Sequence, residues 1–159
     1  MNFKIEKNTI SLVLAIIMLL ALLNSAYFFL VMLKLDIVRW LAFNACSLAI
    51  MVYLLCFVIH RVTKNDYLPA VPLLPLYYYG TMGLFIMPWD AAGMFAQLTH
   101  IIITLTVIWI VYGFLKERKY EALGRGLLLA VFIFVPVFAI IQAYSQVHMN
   151  EFMEALHNM

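Results

Sequence analysis

Residues 91–115 read AAGMFAQLTHIIITLTVIWIVYGFL, an apolar run of membrane-spanning length with a histidine, His100, deep inside it. At about 1.5 Å of rise per residue, His100 stands about 13 Å along a helix that begins at Ala91. That is close to the middle of a hydrocarbon layer about 30 Å thick. A polar side chain at such depth is costly in lipid and faces protein or a cavity instead. Gly93, Gln97, His100 and Thr104 recur at steps of four, three and four, which stacks them on one helix face. That face must look into a bundle, and the other spans have to supply it.

The rest of the composition agrees. Of 159 residues, 67% are hydrophobic and 11% charged, with a mean hydropathy of +1.01. Soluble domains are nearer half apolar and a quarter charged, so the chain reads as an all-α integral membrane protein, a single membrane domain over 1–159. The net charge of +2 is small, and no basic cluster is large enough to point to nucleic acid. Cys46 and Cys56 fall ten residues apart on one expected helix, about 15 Å, which is too far for a disulfide. They read as small apolar residues.

Outward from 91–115, the expected spans are 10–33, 37–59, 68–88 and 126–145, with an amphipathic tail over 146–159. The leader with Lys4 and Lys7 reads as the flank of an uncleaved first helix, because the apolar run continues well past Ala26. Ala42, Ala45 and Ala49 form a small-residue seam on the second span, which predicts close approach of another helix and association into a homo-oligomer or larger complex. The segment 68–88 is the ambiguous one. Pro69, Pro72 and Pro75 crowd its start and Pro88 ends it, which predicts an irregular stretch before a short helix.

Charge placement decides whether 68–88 crosses. With five crossings and a cytoplasmic N-terminus, Lys4, Lys7, Arg61, Lys64, Lys116, Arg118, Lys119 and Arg125 lie inside and Lys34 and Arg39 outside, eight against two. Without that crossing the split becomes four inside against six outside. Basic residues favour the cytoplasmic side of short loops, so the expectation is five transmembrane helices with the C-terminus outside, in a prokaryotic cytoplasmic membrane.

Depth then places the polar groups. Asn24, Asn44, Gln97, His100 and Thr104 fall between mid-membrane and the outer face, so they are the expected ligand-binding set, around an outer-half pocket. Such amides and hydroxyls also hold helices together without any ligand. A quinone needs one imidazole and an amide among apolar walls, for which Tyr77, Tyr78, Tyr79 and Phe85 are available. A six-coordinate haem needs two histidines at matching depth, and with His60 at the cytoplasmic end of its span and His148 outside, neither can pair with His100 within one chain. His148, Glu151, Glu154 and His157 have metal-compatible types but form no closed set, and no catalytic triad, paired carboxylates, phosphate loop or CxxC is present. The expectation is a subunit or assembly factor of a membrane complex, such as a respiratory one, that holds a quinone-like, haem-like or lipid ligand. The competing expectation is a small homo-oligomeric channel or transporter lined by Gln97, His100 and Thr104. Against that path stand Ile108, Trp109 and Val111, apolar residues below Thr104.

Overall fold

The computed structural model describes residues 3–86, 89 and 94–157, with backbone alone for 3–7, 95 and 156. Pro88, Asp90, Ala91 and Gly93, to which the sequence assigns an interface and part of the polar stripe, lie outside the described residues. All regular structure described is helical. Helix α1, Phe3–Ala26, continues as a π-helical stretch, Tyr27–Met32. Helices α2, Ile37–Phe43, and α3, Ala45–Thr63, follow. A central segment, 68–86, comes next, and then α4, Met94–Lys116, α5, Tyr120–Val147, and α6, Met149–His157. Four stretches are long and apolar enough to cross a membrane: Asn8–Met32, Ala45–Thr63, Ala96–Lys116 and Tyr120–Val147. This is a helical membrane protein.

The outward sides of these helices are what lipid requires. Leu20 and Leu23 on α1, Leu55 on α3 and Leu128 and Phe132 on α5 are all exposed. Helix α5 starts six residues before its expected span and runs unbroken through Pro136. Lys34, Lys64 and Arg118 take left-handed φ of 54–58° in the turns that follow α1, α3 and α4, where such a residue ends a helix.

The expected span 37–59 is two helices rather than one. Asn44 separates α2 from α3 with φ −128° and ψ 62°. Short polar side chains that find partners elsewhere are poor helix-interior residues, and Asn44 has found one in Ser25. Ala49 of the small-residue seam is fully buried within this chain, in a cluster with Ala15, Met18, Ile50, Tyr53, Leu76 and Ile103. That part of the seam packs inside the single chain instead of being offered to a partner.

The central segment is not one regular helix. It consists of a 3-10 turn, Leu68–Ala70, an α turn, Leu73–Pro75, a π-helical turn, Leu76–Thr81, and another α turn, Gly83–Ile86. It is also the most enclosed part of the protein. Ala70, Val71, Pro72, Leu73, Pro75, Leu76 and Gly80 are all buried, packed by α3, α4 and α5. It runs antiparallel to α4: Ala70 and Leu73 cluster with Phe114, Gly80 meets Ile103, and Gly83 meets His100. Two glycines make the fit. A Cβ on Gly80 would stand 2.2 Å from Ile103 Cγ2, and one on Gly126 of α5 would stand 2.5 Å from the Tyr67 carbonyl oxygen.

Candidate functional site

The inward face of α4 is the one its periodicity marks. Gln97 is 2% exposed and His100 4%, with Ile103 fully buried beside them. Thr104 Oγ1 donates to the His100 carbonyl at 2.8 Å and lies 3.3 Å from Thr81 Oγ1 of the central segment. The imidazole edge that carries both nitrogens lies against Gly83, where an added Cβ would come within 2.7–2.9 Å of Cε1, Nε2 and Nδ1. Among the described residues, Nδ1 of His100 is buried without a hydrogen-bond partner. Such a group ordinarily costs about 1–3 kcal/mol.

The other two residues of the expected set are elsewhere. Asn24 is exposed on α1. Asn44 belongs to a hydrogen-bonded hub centred on Ser25: Asn44 Nδ2 donates to Ser25 Oγ at 2.6 Å, and Trp40 Nε1 donates to the same oxygen at 2.9 Å. With both lone pairs of Ser25 engaged, its own proton goes to Ser47 Oγ, 2.9 Å away. The thiol of Cys46 in turn donates to Asn44 Oδ1. This hub closes on itself and pins the α2–α3 break to α1.

At the end of the bundle where α3 and α4 finish lies a crevice of about 480 Å³. Tyr53, Cys56, Phe57, Trp109 and Ile110 line its depth, and His60, Arg61, Lys64, Asp66, Glu117 and Lys119 its mouth. Trp109 Nε1 donates to Ser11 Oγ at 3.1 Å, which ties α4 to α1 across its wall. Lys119 Nζ reaches Asp66 at 3.0 Å and Glu117 at 3.1 Å, and the hydrogen bond to Asp66 raises its ammonium above the ordinary value. In the sequence, Arg61, Lys64 and Lys119 serve only as topology signals. Nothing local in the sequence says that Ser11 and Trp109, or Asp66 and Lys119, meet.

The opposite end is closed by α6, which folds back onto α1 and α2. Phe152 stacks between Phe29 and Phe43, with centroids 6.2 and 4.5 Å away, and Glu151 pairs with Arg39 at 2.6 Å. His148 Nδ1 also donates to Glu151, at 3.0 Å. The bond from His148, with the charge of Arg39, holds the Glu151 carboxyl below its ordinary value. Among the described residues, no group of three or more His, Cys, Asp or Glu is placed to hold a metal ion. Compared with family models, with curated proteins and with solved structures, the chain gives no match.

Proposed function

We propose that the protein crosses the membrane five times, with its N-terminus in the cytoplasm and its C-terminus outside, and serves as a ligand-holding subunit or assembly factor of a larger membrane complex. Two sets of contacts support the five crossings. Arg61 reaches the Asn8 carbonyl and Lys119 pairs with Asp66 at one end, while Arg39 pairs with Glu151 at the other. The central segment starts at the first end, beside Gly126, and reaches the level of His100 on α4. Its irregular backbone is tolerable at membrane depth where α3, α4 and α5 cover it, from Ala70 to Leu76 and at Gly80. Reporter fusions after Asn65, Asp90 and Asn158 test this, with the first expected inside and the other two outside. A cytoplasmic signal at Asp90 or Asn158 defeats it.

The functional reading rests on the buried, unpartnered Nδ1 of His100. In the tautomer with its proton on Nδ1, that nitrogen offers one hydrogen bond to a carbonyl oxygen, the contact a quinone-like or other carbonyl-bearing lipid makes. Any ligand at that nitrogen has to shift the Gly83 segment, which the nitrogen edge of the ring faces at contact distance, and a carbonyl oxygen needs a smaller shift than an iron-bound macrocycle. A through-path is also poorly supported: beneath His100 the fully buried Ile103 and Leu76, packed in one apolar cluster, occupy the interior. The test is the absorbance spectrum and lipid extract of gently purified protein, wild type against His100→Ala. The expected result is a quinone or carbonyl-bearing lipid that leaves with the mutation. Wild-type protein that carries none, together with His100-dependent solute flux in liposomes, would overturn the reading in favour of a channel.

A further inference from the structure

We propose that the crevice at the basic end is a second site, which holds the phosphate headgroup of an anionic membrane lipid through Arg61 and Lys64. The charges at its mouth do not cancel locally. Lys119 is committed to both carboxylates there, Asp66 and Glu117. Arg61 and Lys64 make no ion pair among the described residues. Arg61 lies over the Phe57 ring, 5.1 Å from its centroid, and spends one N–H on the Asn8 carbonyl at 3.2 Å. Of five guanidinium donors, several are left in a planar fork suited to phosphate oxygens. His60 is engaged elsewhere through Nδ1, which donates to the Asn65 carbonyl at 2.8 Å. The last turns of α3 and α4 point their carbonyl ends this way and oppose an anion, but they act within one turn and the basic residues of those turns offset them.

The occupant is a lipid rather than a free anion because of what lies beneath the charges. Tyr53, Cys56 and Ile110 continue the crevice into the apolar interior, with Trp109 as its wall. The volume of about 480 Å³ suits a headgroup and the first carbons of its chains, within the range of small-ligand sites. Basic pockets between membrane helices at the cytoplasmic surface recognise anionic headgroups by this chemistry.

The experiment loads purified protein into nanodiscs of phosphatidylcholine with or without phosphatidylglycerol, strips it gently, and counts retained lipids by native mass spectrometry. Wild type should keep one phosphatidylglycerol per chain in preference to phosphatidylcholine, and Arg61→Gln with Lys64→Gln should weaken that preference roughly tenfold or more. Arg125→Gln, at the same end but outside the crevice and paired with Glu121, should leave it unchanged and controls for diffuse charge. His100→Ala should also leave it unchanged, so failure here is distinguishable from failure of the His100 reading. Equal retention of both lipids, an unaffected double variant, or displacement by millimolar glycerol phosphate as effectively as by lipid would each overturn the proposal.

Discussion

Replacing Ser25 with alanine should cost far more than the loss of one hydroxyl ordinarily does. Its Oγ accepts from Trp40 Nε1 and Asn44 Nδ2 and donates to Ser47, so one atom closes three bonds between α1, α2 and α3. Interhelical hydrogen bonds in membrane proteins average about 0.6 kcal/mol, with the strongest near 1.7. Losing three therefore destabilises the fold by about 2 kcal/mol, rising towards about 5 kcal/mol if the indole N–H of Trp40, which is 7% exposed, finds no substitute. Reversible unfolding in mixed micelles, followed by circular dichroism, gives the number. Ser145→Ala is the control, since that hydroxyl bonds only to a carbonyl of its own helix. A Ser25→Ala/Ser47→Ala cycle should return a coupling of about 1 kcal/mol. A Ser25→Ala cost no larger than that of Ser145→Ala would refute the hub.

Gly80→Ala should destabilise by about 1–3 kcal/mol through overpacking against Ile103, and Ile103→Ala in the same chain should recover part of it; wild-type stability for Gly80→Ala in the same unfolding assay would contradict the close approach. Glu151 binds its proton less readily when docked, so its contribution to holding α6 is complete above pH 4.5, its ordinary value, and is lost as pH falls below that through the lowered one. Protease protection of α6 should follow that curve, while Glu151→Gln should give weaker protection without the acid step. Asp66→Asn should change stability by less than about 1 kcal/mol, because the Lys119 pair is more than a third exposed on both sides.

The sequence was most informative wherever a periodic signal met a physical requirement of lipid. Apolar length set the four long helices, and the three-four spacing of Gln97, His100 and Thr104 marked the face of α4 that turns inward. The prolines at 69, 72 and 75 announced an irregular stretch. What they could not announce is that this stretch would be the most enclosed part of the bundle, because enclosure depends on which helices pack around it. The break at Asn44 has the same origin: the residue that favours it, Ser25, is 19 positions away. The crevice depends on contacts across 53 and 98 positions, and local spacing carries none of that. Depth along a helix also says nothing of direction, which is why Asn24 matched His100 in depth yet is exposed.

An irregular segment at the centre of a membrane protein follows from where lipid can be tolerated. Prolines at 69, 72 and 75 supply no N–H, so the carbonyls of Asn65, Leu68 and Val71 lose their helical donors. On the lipid face each such carbonyl would cost several kcal/mol. Here the Asn65 carbonyl takes His60 Nδ1 and the Leu68 N–H, and the Leu68 carbonyl takes the Val71 N–H. The π-helical turn then resumes the pattern, with Met82 N–H donating to the Tyr77 carbonyl at 3.0 Å. The regular helices α1, α3, α4 and α5 can face hydrocarbon because their backbones are satisfied internally, so they take the outside, and the segment that cannot do this is left the middle. The same placement brings the segment's beginning, Pro69 and Pro72, to the basic crevice and its far end, Gly83, to His100. Its glycines carry the consequence: with no side chain at 80 and 83, α4 approaches closely enough to bury the imidazole, and a methyl group at either position has to displace the Ile103 side chain or the His100 ring.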